Sequence, residues 1–262
     1  METATKTHNI ETMCKNTEHL SGAEILIRSL IEEQVDSIFG YTGGAIMPVY
    51  DALYDHQDEL QHYQARHEQG ATHAAQAYAR ISKKPGVCFT TSGPGATNVL
   101  TGLADAYLDS TPLVIITGQV ASGFLGSDAF QETNMIGLSM PVTKWNFQVT
   151  KAEEIAEVMA KAFYIARSGR PGPVLIDITK DAQIATTDYK YKKCESVRSY
   201  QPMPDLDMSQ VEAAAALING AKKPLLLAGQ GILLSGAEKE LMEFVEKTQI
   251  PVACTLLGLS CF

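Results

Sequence analysis

Three strand-like runs of this chain end in a short turn and pass directly into a helix-like run. The first is Ile38-Phe39, leading through Tyr41-Thr42-Gly43-Gly44. The second, 62–65, leads through Arg66-His67-Glu68-Gln69-Gly70-Ala71, and the third, 86–91, through Ser92-Gly93-Pro94-Gly95-Ala96-Thr97-Asn98. Strand and helix alternate throughout, which predicts α/β domains built on parallel sheets with right-handed crossovers. In an open parallel sheet every strand-to-helix turn lies at one edge, where ligands bind. The three turns therefore converge, and a single carboxylate, Glu68, stands among them.

The small and apolar positions Ala71, Ala74, Ala75, Tyr78 and Ala79 follow the three-and-four spacing of one helical face, which puts Glu68 in the first turn of that helix. A carboxylate in such a place is favoured by the helix dipole, and an arbitrary glutamate there is a stabilising one. The two glycine turns beside it make Glu68 the first candidate for chemistry. His67-Glu68 does not open a zinc-protease helix, because the second histidine would fall at Ala71.

Around this centre the chain divides. Residues 1–19 are polar and aperiodic and are expected to form a flexible arm. Ser21 with Glu24 makes a capping box, and Ala23, Leu26, Ile27, Leu30 and Ile31 stripe the helix it opens. The apolar run 113–117 reads as a strand covered on both faces. Residues 118–139, without a clean period and too long for a passive connection, are a functional loop candidate containing Phe130-Gln131-Glu132. A long helix striped by Ile155, Met159 and Phe163 follows, then a strand over 174–178 ending at Thr179-Lys180-Asp181. The expected boundaries are a first domain at 20–184, a linker at 185–208 and a second α/β unit at 209–262. The linker reading rests on Lys190, Lys192, Lys193, Pro202 and Pro204. The second unit reads as two helices opened by capping boxes at Ser209 with Glu212 and Ser235 with Glu238, plus two strands. So little material cannot cover both faces of a parallel sheet, so this unit is expected to be cut short or to pack on something else.

Composition limits the partners. The net charge of -9 and the lack of a Lys/Arg run argue against nucleic acid and anionic membranes. The five cysteines (Cys14, Cys88, Cys194, Cys254, Cys261) contain no Cys-x-x-Cys pair and suggest neither a disulfide framework nor a zinc knuckle. No apolar run reaches the roughly 18 residues of a membrane span, and the start lacks an apolar signal segment. A cytoplasmic protein is expected.

Five motifs in series then resemble one family. They are Phe39-Gly40-Tyr41-Thr42-Gly43-Gly44-Ala45, His67-Glu68-Gln69-Gly70-Ala71, the stretch 91–98, Asp128-Ala129-Phe130-Gln131-Glu132, and Gly169-Arg170-Pro171-Gly172-Pro173-Val174. In order and spacing, from about Leu20 onward, they resemble the large catalytic subunit of acetolactate synthase, a thiamine diphosphate enzyme. The resemblance implies a parallel-sheet pyrimidine-binding domain followed by the start of an FAD-binding domain. The Gly-Asp-Gly motif with which the family holds Mg2+ and the diphosphate does not occur here, so the metal ligands are expected outside this chain, which reads as truncated.

By the same resemblance Glu68 hydrogen-bonds the cofactor's pyrimidine N1′, and Tyr41, Gly44, Pro94 and Asn98 surround that ring. Gly44 and Pro94 also suit ordinary turn chemistry. Phe130 and Gln131 correspond to residues at the reacting centre, and Lys180 to a lysine lining the substrate channel. Read without the family, Gln131 is a loop amide and Lys180 a solvated lysine. Arg170, Gly229, Gly231, Thr255 and Leu256 match positions around FAD, although a bare Gly-x-Gly turn is weak evidence for a dinucleotide. Thr42 and Ala121 stand where the family commonly has proline.

The implied reaction decarboxylates pyruvate and joins the two-carbon unit to pyruvate or 2-oxobutyrate, in branched-chain amino acid biosynthesis. The resemblance also implies a homodimer or homotetramer for the full-length protein and allows a regulatory small subunit. Two readings compete: another thiamine enzyme of 2-oxo acids, such as a pyruvate oxidase or a glyoxylate carboligase, and a noncatalytic fragment or assembly module. The carboligase lacks the glutamate that Glu68 represents.

Overall fold

The computed structural model describes residues 18–262, so the expected arm lies outside the described residues except for its last two positions, Glu18 and His19. The chain separates into two compact units, one ending at Met203 and one running from Pro204 to Phe262.

The first unit opens with strand β1 (His19–Ser21) and helix α1 (Gly22–Glu32), whose start Ser21 caps by accepting from the Glu24 backbone N–H at 3.1 Å. Then come β2 (Ser37–Gly40), α2 (Met47–Tyr54), β3 (Gln61–Gln64), α3 (Glu68–Ser82) and β4 (Gly86–Thr90). Helix α4 (Pro94–Thr97), α5 (Leu100–Leu108), β5 (Leu113–Gln119) and α6 (Met135–Ser139) follow. The unit continues through β6 (Trp145–Val149), α7 (Ile155–Arg167), β7 (Pro173–Thr179), α8 (Lys180–Ile184) and β8 (Thr186–Asp188). Strands β2 to β7 form one parallel sheet in the order β3-β2-β4-β5-β7-β6. Going from β3 to β4 the chain crosses over β2, so the direction of winding reverses between β2 and β4.

Both faces of this sheet are covered, and successive residues serve opposite faces. Val87, Phe89, Val114, Ile116, Val174, Ile176 and Ile178 pack under α1, α2 and α7, among Leu26, Leu30, Val49, Met159 and Phe163. Cys88, Leu113, Ile115 and Leu175 pack on the other side under α3 and α5, with Ala71, Ala75, Ala79 and Leu103. The alanine stripe of α3 lets its backbone come close to the sheet. A Cβ on Gly86 would stand 2.2 Å from the Ala75 carbonyl oxygen, so only glycine fits there.

The stretch expected as a linker is not free of the first unit. Residues 185–203 of the expected 185–208 linker belong to the first unit: β8 pairs antiparallel with β1, and Tyr189, Tyr191, Val197 and Tyr200 pack against its core. Tyr189 and Tyr191 turn inward while Lys190 and Lys192 face water, so a polar composition conceals a half-buried extended segment.

The second unit consists of α9 (Met208–Gly220), β9 (Leu226–Ala228), α10 (Gly231–Ser235), α11 (Glu238–Thr248) and β10 (Val252–Cys254). Its two strands pair in parallel, and Ala228, Leu241 and Cys261 form a small core. Both expected capping boxes are corrected. Asp207, not Ser209, caps α9 by accepting from the Ser209 N–H at 3.0 Å, and Ser235 closes α10 with its hydroxyl on the Gly231 carbonyl at 2.8 Å. A Ser side chain bonds backward as readily as forward, so the spacing alone could not choose. No helix among the described residues is long and apolar enough to cross a membrane.

Candidate functional site

The turns after β2, β3 and β4 meet where the winding reverses, the crevice in which open α/β sheets bind ligands. Edge strand β3 delivers Ala65, whose N–H donates to the Gly40 carbonyl at 2.9 Å, and the chain then enters α3 through His67. The His67 backbone is extended and its Nδ1 accepts from the Gln69 N–H at 3.2 Å, leaving Glu68 as the first helical residue. Glu68 is only 8 % exposed. Its Oε2 accepts from the Asn98 side-chain amide at 2.9 Å. Its Oε1 lies 3.1 Å from where a Cβ would stand on Gly95.

Thr91 ties the other two turns together. Its Oγ1 accepts from the Ala45 N–H at 3.2 Å, and a Cβ on Gly43 would stand 2.4 Å from the Thr91 Cβ. Tyr41, half exposed, is anchored by its N–H on the Phe89 carbonyl at 3.2 Å, while Gly44 has nothing within 4 Å of where a Cβ would point. Pro94 is the exposed first residue of α4. At Gly95 the chain comes so close that a Cβ would stand 2.8 Å from Thr91 Cγ2 and 3.1 Å from Glu68 Oε1, so a side chain there would crowd the carboxylate, whereas the space at Gly44 is open. A backbone held this near the carboxylate leaves it reachable by a flat heterocycle.

The 118–139 loop folds over this edge. Gly93 has φ +58°, and a Cβ there would fall 2.8 Å from the Gln131 carbonyl oxygen, so backbone meets backbone. Gln131 itself holds φ 61°, and Phe130 is 87 % exposed. Lys180 opens α8 at the end of β7, on the same edge. Gln183 pins that helix by donating to the Ala45 carbonyl at 2.9 Å.

Arg170 is not brought to this edge. It precedes β7, at the opposite ends of the strands, where it donates to Ser110 Oγ at 2.6 Å and to the Leu108 carbonyl at 3.0 Å. In the second unit Gly229, Gly231, Thr255 and Leu256 lie together at the carboxyl end of its strand pair: the Thr255 N–H donates to the Ala228 carbonyl at 2.9 Å, and its Oγ1 is 3.8 Å from a Cβ placed on Gly229.

Two ionisable groups whose electrostatics feel Glu68 are shifted by burial. Burial pushes the Cys88 thiol up to about 12, against the Thr72 hydrogen bond, which acts the other way. Burial also raises the Tyr50 phenol, whose oxygen lies 3.1 Å from His62 Nε2. Asp177, a fully buried carboxylate inside β7, belongs to none of the motifs that mark the edge. Its signal was there: one charge within the otherwise uncharged run 173–179. Among the described residues no group of three or more His, Cys, Asp or Glu is placed to hold a metal ion.

The chain is similar to known proteins over most of its length. Residues 20–138 match the family model of the thiamine pyrophosphate enzyme N-terminal TPP binding domain, and residues 211–262 that of the central domain. The acetolactate synthase large subunit of Corynebacterium glutamicum is 49 % identical over 94 % of this chain and 39 % of its own length. The probable acetolactate synthase large subunit of Methanocaldococcus jannaschii is 49 % identical over 93 % of this chain and 41 % of its own length. The isozyme 3 large subunit of Escherichia coli is 46 % identical over 94 % and 43 %. The chain thus spans about two fifths of the length of the relatives it matches.

Proposed function

From the premise that this chain is homologous to the N-terminal portion of acetolactate synthase large subunits, we propose that it supplies the pyrimidine-binding half of a thiamine diphosphate site used to make acetohydroxy acids from 2-oxo acids. The observation that carries this reading is the buried Glu68 carboxylate, bonded to Asn98 on one oxygen and bordered by Gly95 on the other.

In this reading Glu68 would hold a proton shared with the pyrimidine nitrogen of a bound thiamine diphosphate, a task for a carboxylate kept from water. Thiamine diphosphate supplies the carbon nucleophile and electron sink that a 2-oxo acid needs to lose CO2. Asn98 fixes the carboxylate plane, and Tyr41, Gly44 and Pro94 border the ring. Gln131 would donate to the substrate, Phe130 would stand at the reacting centre, and Lys180 would attract the carboxylate of the incoming acid. Pyruvate is the donor, and pyruvate or 2-oxobutyrate the acceptor.

Mg2+ takes its ligands from outside these residues. In this reading FAD would be held by Gly229, Gly231, Thr255 and Leu256 of the second unit. The assembly is a cytoplasmic homodimer or homotetramer able to take a regulatory small subunit. The test mixes the chain with the C-terminal portion of the E. coli relative, thiamine diphosphate, Mg2+ and FAD, and measures acetolactate from pyruvate. Formation that Glu68→Gln abolishes supports the reading; formation that Glu68→Gln leaves intact overturns the site.

A further inference from the structure

Asp177 sits at the centre of a closed hydrogen-bond set. Its Oδ1 accepts from Thr117 Oγ1 at 2.6 Å, and its Oδ2 accepts from the side-chain amides of Gln119 at 3.0 Å and Gln148 at 2.9 Å. Gln119 then uses its amide twice more. The same Nε2 donates to the Thr133 carbonyl at 2.8 Å, and its Oε1 accepts from the Val120 N–H at 2.9 Å. Residues 119 and 133 are thereby clasped at the base of the loop that carries Phe130 and Gln131.

Inside the clasp the loop is organised by Glu132. Its carboxylate accepts from the backbone N–H groups of Gly126, Ser127 and Ala129, and its own N–H donates to the Ala129 carbonyl at 2.9 Å. The residue between these anchors, Gln131, holds a left-handed backbone at φ 61°, a conformation that costs a non-glycine residue and persists only where the surroundings over-determine it. Burying a carboxylate with no cation among its described partners is also costly, so its retention needs a use as an acceptor of several donors.

We propose that Asp177, acting through Gln119, is a positioning residue that clasps residues 119–133 and so holds Gln131 against Gly93. Its functional meaning rests on the reading that Gln131 faces the substrate; the clasp itself does not.

The test is amide hydrogen exchange on the 262-residue chain. In Gln119→Ala the amides of Gly126, Ser127, Ala129 and Glu132 exchange about tenfold faster or more, the factor expected for one lost hydrogen bond to a buried acceptor network. The amides of β4 and β5 stay as protected as in the parent. Asp177→Asn leaves the loop protected, because its oxygen can accept both glutamine amides while its NH2 donates to the Thr117 hydroxyl. Asp177→Leu loosens the loop as Gln119→Ala does; should it fail to fold, Gln119→Ala decides. The proposal is overturned if the loop amides of Gln119→Ala stay within about twofold of the parent, or if exchange rises equally in β4 and β5, the mark of a merely structural pair. A parent chain that protects this loop yet forms no acetolactate in the mixture overturns the reaction reading alone.

Discussion

Asn98 donates its side-chain amide to Oε2 of Glu68 across 2.9 Å, joining the end of α4 to the first residue of α3. Glu68→Gln can keep this bond through its amide oxygen while losing the carboxylate. We expect it to unfold within about 2 °C of the parent and to cut acetolactate formation in the complemented mixture about 100-fold or more, the usual cost of removing a positioned acid or base. Asn98→Ala frees the carboxylate without removing it and costs less. Thermal melts and steady-state assays on both variants check the order.

The contact between Ala75 and Gly86 predicts a stability effect with no chemistry in it. Alanine at 86 would put its Cβ 2.2 Å from a backbone carbonyl oxygen, forcing α3 off the sheet. Gly86→Ala is expected to lose about 3 kcal/mol, the upper range for an overpacked core, seen as a lower urea midpoint.

His56, two residues past the end of α2, reaches α1, with its Nε2 2.9 Å from Glu24 and its Nδ1 3.2 Å from Glu59. Partial burial disfavours the imidazolium, but the hydrogen bonds and charges of the two carboxylates outweigh it and raise the histidine above its ordinary 6.5. The folded chain therefore holds this proton more tightly than the unfolded one. Its contribution is full below the unfolded value and is lost as pH rises through the folded value. Urea midpoints measured at pH 6 and pH 8 should show the parent losing more stability than His56→Gln over that interval.

Glu33 has a fully buried side chain that accepts from Arg167 on α7 and from the Tyr191 hydroxyl. Arg167→Ala leaves that carboxylate with one partner fewer, and because the arginine is 35 % exposed the expected loss is about 1–3 kcal/mol. Tyr191→Phe instead releases the segment after β8 locally. Limited proteolysis should then cut near the exposed Lys192-Lys193 faster than in the parent, with the core melt little changed.

Much of the site was legible in the residues themselves. Glu68 at the head of a small-residue helix follows from the spacing of Ala71, Ala75 and Ala79, and the strand-to-helix turns announce the edge on which it sits. That the turn 92–98 itself holds a short helix, α4, ahead of α5 was not legible, because Pro94 can start a helix but nothing in the spacing says where it must stop. The docking of Tyr189 and Tyr191 was hidden by their lysine neighbours, and Asp177 was passed over inside an apolar run.

By itself the sequence determined the alternation of strand and helix, the parallel class of the sheet, and the placement of one carboxylate at a helix start, because each depends on spacings within one turn or one strand. Only the tertiary structure decided that β2 lies between β3 and β4, that Asn98 reaches Glu68, and that Asp177 meets Thr117, Gln119 and Gln148. Those pairings join residues far apart in the chain, and their partners are chosen by strand order and by which face each residue presents. Local periodicity carries the second of these but not the first.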